Sequence, residues 1–250
     1  MDQHPWAVYY TVPPTDQRAR VTTDPPPSLQ AIRAWFDRTY RDQGLAYLRP
    51  AEFYSIFMEW LDVRPGHRLL DVGCGPGLLL GQAVERGAAA WGVDVSATAL
   101  VLARRLVPRA RVCAGNAEAL GFADHVFNHV TCIGTFEHFP DGDHALAELR
   151  RVLKPDGRLC VMVPNSRTLK WQLESRLGVH DERAATLEHW REVFLGSRFT
   201  IDRIHRDEWP RYRRRRLFRR GGSGFAAAAR RARHLAPLRF ANQFVFLLRP

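Results

Sequence analysis

An aspartate followed by three alternating glycines, D-x-G-x-G-x-G over residues 71–77, has the composition and spacing of a ligand-binding turn. An apolar run over residues 67–72 precedes it, and good helix formers over 78–85 follow it. A strand, a glycine turn and a helix are typical of a nucleotide-binding α/β unit. The dinucleotide fingerprint G-x-G-x-x-G is not met, because Leu78 stands where its third glycine would be. The carboxylate of Asp71 would repel a pyrophosphate but suits a ligand end that carries an amino group and positive charge.

A second acid, Asp94, ends the next apolar run, seventeen residues after Gly77. A carboxylate at that place can accept hydrogen bonds from both hydroxyls of a ribose. The third apolar run ends in GNAEAL, which would place Asn116 and Ala117 beside an adenine edge. A lone aspartate more often caps the following helix. The spacing between the glycine turn and Asp94 along the sequence favours the ribose interpretation.

Alternating strands and helices must position these residues. Strands are predicted over 67–72, 89–94, 110–114, 126–133, 158–164, 199–207 and 240–248, and helices over 77–86, 96–107, 142–153 and 184–195. Such alternation predicts an α/β fold, a doubly wound parallel sheet with helices on both faces. The carboxyl ends of the strands then form one ligand-binding edge.

The chain divides into an arm, a lid and a main domain. Residues 1–27 contain six of the sixteen prolines and look like an arm without a core of its own. Residues 28–62 are expected to form N-terminal lid helices, one capped by Ser28 and one over residues 51–61. Residues 63–250 are expected to form the α/β domain. That domain carries a lid insertion over residues 166–183 and an arginine-rich insertion over residues 209–237.

Several protein classes are disfavoured by composition. No run of eighteen apolar residues predicts a membrane-spanning helix. The first fourteen residues lack the pattern of a signal peptide. Four cysteines, each in or beside an apolar run, show no metal-ligand spacing, so we expect reduced core thiols and no metal. These features predict a cytoplasmic protein.

The positive charge lies in one segment. Residues 201–250 carry fourteen arginines and three acids, which accounts for the whole net charge of +11. The stretch from Arg211 to Arg220 could lie on the anionic inner face of a membrane, with nearby apolar side chains dipping inward and delivering a lipid-like acceptor. It could instead grip nucleic-acid phosphates, although aromatic residues are few. A solvated helical hairpin in a protein with only two lysines is the third interpretation.

The motifs together resemble the class I S-adenosylmethionine-dependent methyltransferases, and within them the small-molecule "type 11" group that includes quinone-biosynthesis enzymes. The resemblance covers residues 45–165 and rests on the glycine turn, Asp94 and the stretch LKPDGRL before the fifth strand. It implies a seven-stranded sheet of order 3-2-1-4-5-7-6 with an antiparallel last strand. It also implies S-adenosyl-L-methionine as cofactor and S-adenosyl-L-homocysteine as product.

The resemblance assigns cofactor roles residue by residue. Asp71 would lie near the methionine amino group, and Asp94 would hold the ribose. Asn116 and the Ala117 amide would contact the adenine. The remaining implied cofactor contacts are Gly73, Cys74, Gly75, Gly77, Val95, Ile133 and Gly134. Two positions depart from the family pattern, since Asn116 and Asn128 stand where the family often has an acid. Asn116 can still accept a hydrogen bond from the adenine amino group, and Asn128 need not touch the cofactor.

The acceptor is defined less sharply. An oxygen or carbon nucleophile benefits from a general base, for which His138 is the candidate and His144 or His180 are alternatives. An amine or thiolate acceptor needs no base, so O-, N-, C- and S-methylation stay open. Aromatic residues of the lid suit an apolar, aromatic or lipid-like small molecule; these are Trp35, Phe36, Tyr40, Tyr47, Phe53 and Tyr54. Candidate acceptor contacts are Tyr40, Tyr47, Glu137 and Asn165.

Two other functions stay open. The stretch IGTFEH stands where superfamily members acting on nucleobase amines or glutamine amides carry a D/N-P-P-Y/F turn, which disfavours those chemistries. An RNA- or protein-directed methyltransferase using the arginine-rich segment is nevertheless an alternative. A cofactor-binding scaffold without catalysis is the other, although the intact set of Asp71, the glycines and Asp94 disfavours it.

Overall fold

A computed structural model describes residues 28–168, 171–173, 183–207 and 237–250. The predicted arm over residues 1–27 lies outside the described residues. So do most of the predicted insertions over 166–183 and 209–237, including His180 and the stretch from Arg211 to Arg220.

The described residues form one seven-stranded sheet of order β3-β2-β1-β4-β5-β7-β6. The strands are β1 (Arg68–Val72), β2 (Ala89–Asp94), β3 (Arg111–Ala114), β4 (Phe127–Ile133), β5 (Leu153–Pro164), β6 (Thr200–Arg206) and β7 (Gln243–Arg249). The first five strands pair in parallel, and β7 runs antiparallel to both of its neighbours. The predicted fold class and strand order are therefore confirmed.

One strand boundary differs from the prediction. β5 begins at Leu153 rather than near residue 158, because Leu153 pairs with Phe127 ahead of an irregularity in the ladder with β4. The stretch LKPDGRL therefore belongs to an irregular start of β5. Burial of Leu153 and Phe127 holds β5 and β4 together there.

The described helices cover both faces of the sheet. They are α1 (Leu29–Gln43), α2 (Ser55–Leu61), α3 (Leu78–Glu85), α4 (Ala97–Leu106), α5 (Gly142–Val152) and α6 (Leu187–Gly196). Ser28 caps α1 as predicted, since its hydroxyl accepts a hydrogen bond from the Ala31 amide. The helix predicted over 51–61 begins as a 3-10 turn, Ala51–Tyr54, that leads into α2.

Alternate residues of the strands supply the two halves of the core. In β7, Phe244 and Phe246 pack on the face covered by α5 and α6, whereas Val245 and Leu247 pack on the face covered by α2 and α3. Three of the four cysteines are buried as predicted, but Cys113 is exposed. The core prediction for Cys113 was wrong because β3 is an edge strand.

Candidate functional site

The glycine turn between β1 and α3 requires a backbone that other residues rarely adopt. Gly73, Gly75 and Gly77 have φ angles of 75°, 51° and 83°, in the left-handed region that favours glycine. The amides of Gly73 and Cys74 both donate to the Val93 carbonyl, at 2.8 and 3.1 Å. The turn is therefore fixed against the end of β2.

Steric crowding explains two of these glycines further. A Cβ atom on Gly73 would overlap the side chain of Thr135, and one on Gly75 would lie 2.7 Å from the Tyr40 hydroxyl. Gly77 differs, since it does not line the cavity and a Cβ there would meet Ala103 at 3.4 Å. The structure thus gives Gly77 a backbone role at the start of α3, and its predicted cofactor contact stays a prediction.

We expect Gly73→Ala to lower the free energy of unfolding by about 2–4 kcal/mol, because a strained backbone and a clash with Thr135 add together. Gly66→Ala is the matched control, since Gly66 has a similar φ of 81° but no atom within 4 Å of a Cβ. That control isolates the backbone cost of about 1 kcal/mol. Urea unfolding of both variants measures the difference, and equal losses would contradict the predicted clash.

Asp71 is a buried carboxylate at the end of β1, with 4% of its surface exposed. Its Oδ1 accepts a hydrogen bond of 2.7 Å from the Thr131 hydroxyl on neighbouring β4. Burial raises the pKa of Asp71 to about 7, against the opposing effect of the Thr131 hydrogen bond. Within the described part of the chain no basic side chain forms an ion pair with Asp71. A cationic group entering the cavity would supply the missing charge.

Asp94 ends β2 and faces the same cavity. Its Oδ2 accepts from the Gly75 amide at 2.7 Å, and its Oδ1 accepts from the Ser96 amide at 2.8 Å. Burial raises the pKa of Asp94 despite these two hydrogen bonds. Ser96 caps α4 through the Ala99 amide. The helix-cap interpretation therefore applies to Ser96, and both carboxylate oxygens of Asp94 keep further capacity to accept hydrogen bonds.

A cavity opens where the carboxyl ends of β1, β2 and β4 meet, and it contains about 920 Å³ of empty space, part of it continuous with solvent. The structure brings most of the predicted site residues together in the cavity lining: Tyr40, Tyr47, Asp71, Gly73, Cys74, Gly75, Asp94, Val95, Asn116, Ala117, Ile133, Gly134 and His138.

Asn116 and Asn128 lie at opposite ends of the sheet. Asn116 lines the cavity, and its Oδ1 accepts from the Glu118 amide at 3.1 Å while its Nδ2 approaches the Glu118 carboxylate at 3.3 Å. Asn128 instead accepts hydrogen bonds from the Arg68 amide and from Lys154 Nζ. Asn128 therefore connects β1, β4 and β5 away from the cavity.

His138 follows β4 in the 3-10 turn Phe136–His138 and lines the cavity. Its ring packs edge-on against Phe36 of α1, with 5.4 Å between centroids. Burial lowers the pKa of His138 to about 4, assisted by the positive charge of Arg183. The imidazole is therefore neutral at pH 7. The alternative His144 is exposed, ion-paired to Asp141 and outside the cavity lining.

Two predicted acceptor contacts are not in the cavity lining. Asn165 is fully buried, and its Nδ2 donates to the carbonyls of Arg239 and Ala241 at 2.9 and 2.7 Å. This side chain ties the end of β5 to the segment before β7, and its predicted acceptor contact stays a prediction. Glu137 is 3% exposed, packs behind Gly134 and also stays out of the lining.

The aromatic lid residues separate into three environments. Phe36, Tyr40, Tyr47 and Tyr54 line the cavity as predicted. Phe53 is buried in the core against Phe57 instead. Trp35 is 39% exposed and packs edge-on against Phe36 and Tyr47.

Several polar residues at the site were not predicted from the sequence. Thr131 pairs in register with Asp71, Thr135 covers Gly73, and Asp37 of α1 hydrogen-bonds to the start of α4. The register between β1 and β4 could have indicated Thr131, because a hydroxyl beside a buried acid is a natural donor. No local sequence signal marks the other two.

The fold and site together define an α/β protein with a cavity at the carboxyl ends of its strands, lined by two buried carboxylates. Residues 70–161 match the family model described as "Methyltransferase domain". This match agrees with the sequence resemblance to the class I S-adenosylmethionine-dependent methyltransferases.

Named relatives agree with this family. The chain is 34% identical over 151 residues to nocamycin O-methyltransferase of Saccharothrix syringae, covering 55% of this chain and 53% of that protein. It is 30% identical over 139 residues to ubiquinone biosynthesis O-methyltransferase of Pseudomonas aeruginosa, covering 52% and 58%. The chain thus spans about half the length of the curated relatives it matches.

A solved structure shares the fold. The chain superimposes on 1,6-didemethyltoxoflavin-N1-methyltransferase of Burkholderia thailandensis, which was solved with 1,6-didemethyltoxoflavin and S-adenosylhomocysteine bound, with a TM-score of 0.63. The two are 19% identical, and the match covers 93% of each chain. In the described part of the molecule no helix is long and apolar enough to cross a membrane, and no group of three potential metal ligands occurs.

Proposed function

We propose that this chain transfers a methyl group from S-adenosylmethionine to a small organic acceptor, with helices of residues 28–62 as a lid over the domain of residues 63–250. The observation that carries the proposal is the pair of buried carboxylates, Asp71 and Asp94, facing one cavity from neighbouring strands. Asp71 matches the cationic amino group of this cofactor, and Asp94 matches its ribose.

The residues present fit the cofactor along its whole length. Asp71 would pair with the methionine amino group, and Asp94 would accept hydrogen bonds from the ribose hydroxyls. Asn116 and the Ala117 amide would face the adenine. Ile133 and Gly134 would lie beside the sulfonium. Tyr40, predicted as an acceptor contact, has its hydroxyl against Gly75, so we assign it to the cofactor side.

Positioning is the chief contribution of the protein to this chemistry. When bound, S-adenosylmethionine supplies a methyl group on a sulfonium, which is already activated for displacement. The lid and the strand ends hold an acceptor atom in line with that methyl group and exclude water around it, and such positioning accounts for much of the rate in reactions of this kind.

The acceptor we infer is a neutral, planar or apolar molecule. The lid side of the cavity consists of aromatic rings in mutual contact, with Tyr40 edge-on to Tyr47 at 5.8 Å and Phe36 edge-on to His138 at 5.4 Å. Among the described residues of the lining, the charged groups are Asp71 and Asp94, which we assign to the cofactor. An aromatic acceptor would stack against this surface and leave no charged group buried without a partner.

His138 is the proposed general base for a hydroxyl acceptor. Its low pKa leaves the imidazole neutral and able to accept a proton at pH 7, although it also makes the base weak. We expect His138→Ala to lower kcat about 10–100-fold with a phenolic acceptor and to leave cofactor affinity within about twofold. Transfer of a labelled methyl group measures kcat, with His144→Ala as the control. An unchanged kcat would assign catalysis to positioning alone.

The arginine-rich stretch from Arg211 to Arg220 supports a second proposal, association with the inner face of an anionic membrane that would present a lipid-like acceptor. Flotation with anionic liposomes at low salt tests it, and the absence of binding would exclude it. Retention of RNA by the same segment would favour the nucleic-acid alternative.

Calorimetric titration with S-adenosylmethionine tests the main proposal. We expect one site with micromolar affinity. Absence of binding would contradict it, whereas binding without methyl transfer to any acceptor would favour the scaffold alternative.

A further inference from the structure

Helix α1 forms one wall of the cavity. Ile32, Phe36 and Tyr40 recur every four residues, which places them on one face of the helix, and all three line the cavity. The Tyr40 hydroxyl lies against Gly75, whose amide donates to Asp94. A cofactor bound in this cavity would therefore lie against this helix.

Asp37 connects α1 to the start of α4. Its Oδ1 accepts a hydrogen bond of 2.7 Å from the Ser96 hydroxyl and one of 3.0 Å from the Thr98 amide. Among the described residues, Asp37 is the α1 side chain that forms hydrogen bonds beyond its own helix. Burial alone would raise the pKa of Asp37, but the hydrogen bonds from Ser96 and Thr98 and the positive charge of Arg33 lower it, so its carboxylate is ionised at neutral pH.

Ser96 links this contact to the proposed ribose site. The Ser96 hydroxyl donates to Asp37, while the Ser96 amide donates to Asp94 Oδ1 at 2.8 Å. One residue thus joins the wall-forming helix and the carboxylate that would hold the ribose. The helix dipole stabilises a carboxylate at the N-terminus of α4. The negative charge of Asp37 also raises the pKa of Asp94, so the geometry of the hydrogen bonds, and not attraction between charges, carries the link.

We propose that Asp37 is a positioning residue that latches α1 over the bound cofactor and so sets how slowly the cofactor leaves. The inference rests on the proposed function, because it needs a cofactor in this cavity. Loss of the latch lets α1 move away, which opens the exit without removing any group that touches the cofactor. The effect therefore falls on the dissociation rate.

The experiment measures release of S-adenosylhomocysteine. Protein loaded with the tritiated compound is chased with the unlabelled compound, and retained label is followed by filter binding. We expect Asp37→Ala to release the ligand at least tenfold faster than the wild type. Asp37→Asn, whose amide oxygen can accept the same two hydrogen bonds, should stay within about threefold of wild type.

Asp42→Ala is the matched control, because Asp42 is an exposed acid on the same helix. Its release rate should equal that of the wild type. An Asp37→Ala rate within twofold of wild type would overturn the latch, as would an Asp37→Asn rate equal to that of Asp37→Ala, or an equal effect of Asp42→Ala. Failure of the wild type to bind S-adenosylhomocysteine would instead contradict the proposed function.

Discussion

Asp71→Asn is expected to weaken S-adenosylmethionine binding at least 100-fold at pH 8 while making the free protein more stable. In the free protein the buried carboxylate has no cationic partner among the described residues, and burial raises its pKa to about 7. An asparagine removes that buried charge but also removes the counter-charge for the methionine amino group. Binding and stability therefore change in opposite directions.

The size of the stability gain from Asp71→Asn depends on pH. The pKa of Asp71 is 3.8 in the unfolded chain and about 7 in the folded protein. Burying this carboxyl group therefore costs no electrostatic free energy of folding below pH 3.8, where it is protonated in both states. The cost grows between pH 3.8 and pH 7 and is constant above pH 7. Asparagine should hence add about 1–3 kcal/mol to the free energy of unfolding at pH 8 and much less near pH 4. Urea unfolding at both pH values measures it, with exposed Asp42→Asn as control.

Cofactor binding should depend on pH for the same reason. The free carboxyl holds a proton below pH 7, and pairing with an ammonium group requires its release. The association constant should accordingly fall about tenfold per unit as pH drops below 7 and level off above pH 8. The dependence should vanish in Asp71→Asn. A flat profile in the wild type would show that Asp71 does not face the amino group.

Asp94→Ala is expected to weaken cofactor binding at least tenfold. Each charge-assisted hydrogen bond to a ribose hydroxyl contributes about 1.5–3 kcal/mol. The substitution also leaves the amides of Gly75 and Ser96 without their acceptor, which loosens the glycine turn. Calorimetry measures the affinity, and thermal unfolding separates it from any loss of fold. Exposed Asp42→Ala serves as the control, and unchanged binding in Asp94→Ala would contradict the ribose assignment.

Adenosine distinguishes the two carboxylates. It carries the ribose and adenine but no amino-acid end, so Asp94→Ala should weaken adenosine binding while Asp71→Asn should leave it unchanged. Equal effects of both variants on adenosine would show that the two carboxylates do not divide the cofactor between them.

The layout of the sheet could be predicted because each strand and helix has its own apolar pattern. The apolar runs of β1, β2 and β4 end close to Asp71, Asp94 and His138, respectively. Because parallel strands end at the same edge of the sheet, these three residues line one cavity. The irregular start of β5 could not be predicted, because it depends on pairing between Leu153 and Phe127.

The direction of individual side chains was harder to predict. Asn165 follows β5 at the correct edge of the sheet, yet its amide turns to the carbonyls of Arg239 and Ala241, which are distant in sequence. The motif predicts a cofactor contact for Gly77, but it could not show that a φ of 83° at the start of α3 also requires glycine there. The Asp37 contact with Ser96 spans fifty-nine residues, beyond the reach of any local pattern.

A crystal structure with S-adenosylhomocysteine tests the central claim most directly. The account predicts the amino group against Asp71, both ribose hydroxyls on Asp94 and the adenine beside Asn116 and Ala117. A cavity that stays empty at saturating ligand, or a ligand bound with neither carboxylate in contact, would contradict it.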